Sequence, residues 1–430
     1  MRQSRGRQLA AAVAAVLVVG LVAGCSSSEG SLRVAWEAPV DSNARDYGNG
    51  AWLVDDTLVR SRYDAVTAFD ARTGKERWEY APPGQEHVCA VSRRADGFVA
   101  LIARGNRDTG PGCTTVAALD LTTGRELWHT PRAPADQTES LTDLVAVGGG
   151  IAVLRDADDK WILETYRPAV PGTEALRAFD LRTGAPRWKA AVPKGCVPER
   201  VAAGQRHVVA VLTCDRTELR LAAFAPADGT QKWTVPLGTR PTPGTDAQVT
   251  VLATEPLVVQ VGGTAEGTPG AYLAFGEDGK ARGRIGTTGA HGRIPSHDPA
   301  RVAIADGRLF AAARGKSGKT YIDRVVAFDL EDGTEVWRHD EAVSSPVLAL
   351  DVTGGRVTAL AARGRKYDGI DQLLILNAAT GDEQENGDSG VDMDHKIGKL
   401  AGLLVYDDLV VTARWGWGVR PFSAYEHERG

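Results

Sequence analysis

Short apolar runs separated by tight turns recur along almost the entire chain. In each repeat, two strand-like runs flank a turn built from Gly, Asp, Glu, Gln or Pro, a pattern that predicts a β-hairpin. The turns are expected at Asp55-Asp56, Asp96-Gly97, Gly148-Gly149, Gly204-Gln205, Glu255-Pro256, Asp306-Gly307, Gly354-Gly355 and Asp407-Asp408. Helical periodicity is nearly absent, so the pattern predicts an all-β protein.

A second motif follows each hairpin. In one of its clearest copies, Ala68-Phe69-Asp70 leads to Gly74 and, four residues later, to Trp78. The motif glycines are Gly74, Gly124, Gly184, Gly229, Gly279, Gly333, Gly381 and Gly430. The tryptophans are Trp36, Trp78, Trp128, Trp188, Trp233 and Trp337. Repeats of about 50 residues, each with four strands, are typical of propeller blades.

The last copy of the motif predicts how the ring closes. It reaches its glycine at Gly430, with no following strand that carries a tryptophan. Residues 32–36 supply such a strand, since they contain Trp36 without the preceding motif. We therefore expect one domain over residues 32–430, an eight-bladed β-propeller closed by the mature N-terminal strand joining the last blade.

The motif has a physical explanation. Glycine is favoured in the turn because a positive φ is cheap for it, and each tryptophan buries about 200 Å² between neighbouring blades. These segments resemble the tryptophan-docking, pyrroloquinoline-quinone-like repeats of quinoprotein-type propellers, over essentially the whole predicted domain. Gly283 and Glu385 stand where the fifth and seventh blades should have a tryptophan. Those blades are expected to dock less firmly.

The resemblance implies the fold strongly and the function weakly, since the family includes quinone-dependent alcohol dehydrogenases and a lipoprotein scaffold of outer-membrane protein assembly. Its enzymes clamp their cofactor with a disulfide between adjacent cysteines and bind calcium nearby. No two cysteines are adjacent here, and no acidic residue matches the enzymes' base. We predict no cofactor, no metal and no catalytic residue. The acidic run over 382–394 could wrap calcium, but a solvated loop is favoured.

The N-terminus has the pattern of an export signal. A basic start with Arg2, Arg5 and Arg7 precedes the apolar residues 9–22, which are too few for a comfortable membrane span. The segment ends in Leu21-Val22-Ala23-Gly24-Cys25, which resembles a bacterial lipobox. We expect residues 1–24 to be removed, Cys25 to carry lipid and 25–31 to form a tether. The protein would then sit on the outer face of the cytoplasmic membrane.

Net charge and cysteine content bear on nucleic-acid binding and on disulfide formation. A net charge of −5 gives no support for nucleic-acid binding. After Cys25, four cysteines remain, an even number in a chain sent to an oxidising compartment, so disulfides are expected. Four cysteines allow three connectivities. Pairing within blades is favoured, because the second and fourth blades are not neighbours; this predicts Cys89–Cys113 and Cys196–Cys214.

The most specific functional hypothesis concerns one face of the propeller. Several second strands end in arginine, at Arg60, Arg104, Arg155, Arg314, Arg363 and Arg414. The loops after these strands carry the candidate partner-binding residues Arg62, Tyr63, Tyr321, Arg363, Arg365, Tyr367, Trp415 and Trp417. A basic and aromatic ring suits an anionic or peptide partner. The alternative is that nearby Asp64, Asp108, Asp323 and Asp368 neutralise the arginines, leaving a structural ring.

These patterns together predict an extracytoplasmic, lipid-anchored binding or scaffold protein. Its partner would be a protein or an anionic envelope ligand, held on one propeller face without catalysis. One alternative is a quinoprotein-like or sugar-directed enzyme, with carboxylates, amides and aromatics converging on the central funnel. Another is a lipoprotein of envelope assembly or sensing.

Overall fold

The computed structural model describes residues 32–42, 45–106, 112–132, 143–156, 176–215, 217–239, 249–262, 270–295, 298–317, 320–343, 346–362, 371–388 and 399–427. These residues form eight separate antiparallel sheets. The sheets are arranged as the blades of a propeller, which confirms the predicted all-β, eight-bladed fold. Within the described part of the chain, no helix has the length and apolar character needed to cross a membrane.

The first half of the ring starts from a strand that belongs to the last blade. That strand is β1 (Leu32–Glu37). Blade 1 contains β2 (Gly50–Val54), β3 (Thr57–Ser61), β4 (Val66–Asp70) and β5 (Glu76–Tyr80). Blade 2 contains β6 (His87–Val91), β7 (Val99–Asn106), β8 (Gly112–Asp120) and β9 (Glu126–Pro131). Blade 3 contains β10 (Val145–Gly148), β11 (Ile151–Arg155), β12 (Leu176–Asp180) and β13 (Pro186–Ala190). Blade 4 contains β14 (Cys196–Ala203), β15 (Val208–Cys214), β16 (Glu218–Phe224) and β17 (Gln231–Thr239).

The second half of the ring includes one elaborated blade. Blade 5 contains β18 (Val249–Thr254), β19 (Leu257–Val261), β20 (Ala271–Phe275) and β21 (Ala281–Gly286). Blade 6 contains the added hairpin β22 (Thr288–Gly289) and β23 (Gly292–Arg293), then β24 (Val302–Ala305), β25 (Arg308–Ser317), β26 (Thr320–Asp329) and β27 (Glu335–Val343). A short 3₁₀ helix, Pro299–Arg301, precedes β24. Blade 7 contains β28 (Val347–Thr353), β29 (Arg356–Ala362), β30 (Asp371–Asn377) and β31 (Glu383–Asp388). Blade 8 contains β32 (Lys399–Tyr406), β33 (Leu409–Trp415) and β34 (Phe422–His427).

Ring closure follows the prediction. β1 pairs antiparallel with β34, with Leu32 opposite His427 and Trp36 opposite Ala424, so the N-terminal strand is the fourth strand of blade 8. The first strands of neighbouring blades, such as β10 with β14 and β28 with β32, contact each other around the central channel. The hydrophobic core therefore lies between blades, where the sheets stack face to face.

The two ends of the propeller carry different connections. We call the end with the hairpin turns between first and second strands, and the glycine turns between third and fourth strands, the turn face. The opposite end, with the loops between second and third strands, is the loop face. Five hairpin turns lie where the sequence predicts them, and three lie one residue later, at Gly97-Phe98, Gly149-Gly150 and Gln205-Arg206. In the second of these Gly148 stays paired with Ile151, while Gly149 and Gly150 both take positive φ.

Candidate functional site

The motif tryptophans and glycines meet between neighbouring blades. A Cβ on Gly74 would stand 2.3 Å from the ring of Trp36, so only glycine leaves room for the indole of the preceding blade. The same contact joins Gly124 to Trp78, Gly184 to Trp128, Gly229 to Trp188, Gly279 to Trp233 and Gly381 to Trp337. Five of these indoles also donate a hydrogen bond to a carbonyl of the next blade, 2.8–3.0 Å away.

Gly283 gives the junction of blades 5 and 6 a different structure. Its backbone N–H donates to the carbonyl of Leu330 at 3.0 Å, and a Cβ there would approach that oxygen to 2.6 Å. Arg282 forms an ion pair with Glu331 at 2.8 Å across the same junction. At this junction a close backbone contact replaces the indole that other blades use. The corresponding glycine turn of blade 8, at 428–430, lies outside the described residues.

Both disulfides link strands within one blade, as predicted. Cys89 bonds to Cys113, which ties β6 to β8 in blade 2. Cys196 bonds to Cys214 directly across the β14–β15 pair in blade 4. Both bridges lie at the loop face, where first strands begin and second strands end, and each closes a segment within its blade.

Most described arginines that end the second strands are buried in the protein. Arg60, Arg104, Arg155 and Arg414 are each at most 5% exposed, whereas the side chain of Arg314 is half exposed and donates to Asp323 at 2.9 Å. Burial lowers the pKa of Arg60 to about 10. The described members of this set thus take part in the packing and ion pairing of the blades.

A buried aspartate organises the loop face at the closing junction. Asp41 is 4% exposed and accepts from Arg60 at 3.3 Å and from Arg62 at 2.9 Å. Arg62 also lies 3.0 Å from Asp64. Arg62, a candidate for partner binding, is therefore occupied by two carboxylates. The sequence gives no local signal for Asp41, because it lies in the connection between β1 and β2, outside the repeated motif.

Aromatic side chains surround the same junction. The guanidinium of Arg60 lies 4.2 Å from the ring centre of Trp415, a distance at which cation–π attraction is effective. Tyr63 packs edge-on against Tyr47 and His87, with ring centres 6.2 and 5.3 Å away. Trp417 is different, since 76% of it is exposed to solvent. The structure brings these candidates into one neighbourhood of blades 1, 2 and 8.

Several predicted site residues are not described by the structure. Cys25, Arg363, Arg365, Tyr367 and most of the acidic run after 388 lie outside the described residues. Tyr321 belongs to β26, but its side chain is also outside them. The roles assigned to these residues stay predictions.

The turn face has two shallow grooves between blades 2 and 6, with volumes of about 990 and 940 Å³. Both are bordered by Arg206, His207 and Glu277, and Arg206 forms an ion pair with Glu277 between them. His207 is buried edge-on against Trp233, and burial lowers its pKa. The grooves are walled largely by turns and mutually paired charges.

The described space between three neighbouring first strands of the channel is small. Between β10, β14 and β18 the open space is about 40 Å³, enough for roughly three waters and too small for a fused-ring cofactor. Its one lining carboxylate, Asp143, is already ion-paired. Neither disulfide joins adjacent cysteines. Across the described ranges, no three His, Cys, Asp or Glu side chains come together as metal ligands.

Sequence comparison identifies the family. A family model described as outer membrane protein assembly factor BamB matches residues 33–195 and 220–414, well over half of the chain. The chain belongs to this family. No curated protein sequence matches the chain.

Solved structures of this fold include BamB and two dehydrogenases. BamB from Moraxella catarrhalis is 15% identical, with a TM-score of 0.51 over 91% of this chain and 99% of that one. Quinohemoprotein alcohol dehydrogenase from Comamonas testosteroni is 14% identical, with a TM-score of 0.51 over 92% and 76%. A europium-containing methanol dehydrogenase is 14% identical, with a TM-score of 0.53 over 90% and 86%. At these identities the likeness establishes the fold alone.

Proposed function

We propose that this member of the BamB family is an extracytoplasmic, lipid-anchored scaffold that holds a protein partner on its loop face, around Trp417. The observation that carries the proposal is the exposure of that indole, 76%, in a protein whose motif tryptophans pack against neighbouring blades. Exposed tryptophans are enriched among the residues that dominate protein–protein binding. A protein partner is favoured over an anionic ligand because Arg60 and Arg62 are already paired with two carboxylates, Asp41 and Asp64.

The loop that carries Trp417 is anchored at its base. Gly418 donates its N–H to the carbonyl of Asp41 at 2.9 Å, and the backbone N–H of Asp41 donates to the carbonyl of Val419 at 2.8 Å. Gly416 and Gly418 have φ values of 149° and 75°, which glycine adopts at little cost. Because the base of the loop is fixed, the indole is presented to solvent with less conformational entropy left to lose on binding.

The path of the N-terminal strand supports an orientation for the scaffold. Leu32 pairs with His427, at the turn-face end of blade 8, and the strand then runs toward the loop face. The seven residues of 25–31 can span at most about 25 Å when extended. A lipid on Cys25 would therefore hold the turn face toward the membrane and leave Trp417 on the side that faces away.

Site-specific photocrosslinking in intact cells tests the partner surface. A photoreactive phenylalanine analogue replaces Trp417 in one variant and Phe98 in a matched control, since Phe98 is also an exposed aromatic, 41%, but lies on the turn face. The proposal expects a discrete protein adduct from position 417 that position 98 does not give. Absence of an adduct at 417, or the same adducts at both positions, would overturn it.

The anchor and the enzyme alternative have separate tests. Cys25→Ala is expected to move the protein from the membrane fraction to the soluble fraction, and mass spectrometry should find lipid on the wild-type cysteine only. Titration of the full chain with pyrroloquinoline quinone and calcium is expected to give no saturable rise in Tm. Tight binding together with dye-linked dehydrogenase activity would contradict the scaffold.

A further inference from the structure

Two adjacent arginines reach into the central channel from blade 2. Arg93 and Arg94 follow β6 and border the same space as Asp143 and residues of β10, β14 and β18. The rest of the lining is largely aliphatic, with Val145, Val147, Val201, Leu252 and Val251 among its residues. Both arginines also contact solvent, since the side chain of Arg93 is 43% exposed and Arg94 is exposed as well.

The described residues that line this space carry more positive than negative charge. Arg93 donates to both oxygens of Asp143, with its Nη2 at 3.1 Å from Oδ2, and Arg200 lies 3.6 Å from the same carboxylate. Asp143 is therefore ion-paired with two guanidinium groups, those of Arg93 and Arg200. It is the single carboxylate among the described residues that line this space.

Arg94 has no carboxylate within 4.0 Å among the residues that the structure describes. Its one hydrogen bond is a long contact of 3.4 Å from Nη2 to the carbonyl of Leu252, on the far side of the space. Desolvation and the like charge of Arg93 lower the pKa of Arg94, and Glu255, on the turn face, offsets this in part. Arg94 is nevertheless exposed to solvent, so a soluble anion can reach its guanidinium.

We infer that Arg93 and Arg94 form a site for one small oxyanion group, a carboxylate or a phosphate, in the central channel beside Asp143. The space of about 40 Å³ is on the scale of such a group. Paired guanidiniums match oxyanions because their N–H groups can donate two parallel hydrogen bonds. The site is independent of the partner surface at Trp417 and of the lipid anchor.

Calorimetry on the full chain in detergent tests the site, with inorganic phosphate and acetate as separate probes at constant ionic strength. Arg94→Gln removes the charge that has no carboxylate partner among the described residues, and Arg94→Lys retains a charge without the planar guanidinium. Arg125→Gln is the matched control, because Arg125 is an exposed arginine with no ion pair to any described residue. Asp143→Asn removes the competing carboxylate, and asparagine tolerates the positive φ of 53° at this position.

The proposal expects saturable binding of at least one probe, lost in Arg94→Gln, weakened in Arg94→Lys and unchanged in Arg125→Gln. Asp143→Asn should bind roughly tenfold more tightly or better, because one repelling charge is gone. Phosphate and acetate binding distinguish the two oxyanion classes, and either supports the site. Absence of saturation with both probes, or equal affinity in Arg94→Gln, would refute it.

Discussion

Trp36 donates a hydrogen bond from its indole Nε1 to the backbone carbonyl of Ala71, 3.0 Å away. Trp36 lies on the strand that completes blade 8, and Ala71 follows the third strand of blade 1. This bond crosses the junction at which the ring closes, and it comes with the contact of the indole on Gly74. Closure matters physically, because an open propeller would expose an unpaired sheet edge and the apolar faces of two blades.

Truncating this tryptophan should open the ring. Trp36→Ala is expected to lower the free energy of unfolding by about 3–5 kcal/mol, as large aromatic truncations in cores do, and to make β1 sensitive to protease. Trp188→Ala is the control, since Trp188 is also 8% exposed and donates the same type of bond to the carbonyl of Pro226, at a junction away from the closing blade. Urea denaturation and limited proteolysis provide the measurement. Equal losses in the free energy of unfolding would show that the contact at the closing junction stabilises the fold no more than the same contact elsewhere in the ring.

The glycine under this indole allows the steric effect to be isolated. Gly74→Ala must accept both a φ of 66° and a Cβ placed 2.3 Å from Trp36. Gly84 has the same φ, but a methyl group added there would have nothing within 4 Å. Gly84→Ala should therefore cost only the backbone strain, about 1 kcal/mol, whereas Gly74→Ala should cost several times as much. Similar Tm values for the two variants would contradict tight docking at Gly74.

These docking contacts explain which parts of the structure could be predicted from sequence. A glycine and a tryptophan recur at the spacing of Gly74 and Trp78 because most blades pack an indole against the glycine turn of the next blade. The repeat therefore predicts the fold and the closing strand. Asp41 belongs to no repeat, and its pairing with Arg60 depends on how the connection between β1 and β2 folds back on blade 1. Arg93 and Arg94 carry no motif either. The contact of Arg93 with Asp143 of the next blade requires the channel geometry.

The disulfides should stabilise blades 2 and 4 separately. The bridged cysteines are 24 residues apart in blade 2 and 18 apart in blade 4, and crosslinks that close loops of this size typically contribute about 3 kcal/mol. Replacing both cysteines of one pair by alanine is expected to lower the free energy of unfolding by up to this amount while the other bridge remains. Chemical denaturation measures the loss, and peptide mapping without reductant checks the surviving bridge. A mixed bridge between blades in the wild type would refute the assignment.

The glycine turn of blade 1 should also contribute an acid-sensitive part of the stability. A hydrogen bond from Arg77 and others from Thr73 lower the pKa of Asp70 to about 2. Since the unfolded value is near 3.9, the contribution is complete above about pH 4 and is lost as the pH falls through about 2. Asp70→Asn keeps the oxygen that accepts from Thr73 but removes the charge that faces Arg77.

This substitution is expected to lower stability at neutral pH by about 1 kcal/mol or less, because the pair is partly exposed to solvent and therefore screened. The difference between wild type and Asp70→Asn should shrink as the pH approaches 2, since Asp70 in the folded wild type is then about half protonated. Asp55→Asn is the control on the same face, because Asp55 pairs with no basic side chain among the described residues. Urea denaturation from pH 2 to 7 measures the effect. A wild-type advantage that stays constant across this range would contradict the role of the Asp70–Arg77 pair.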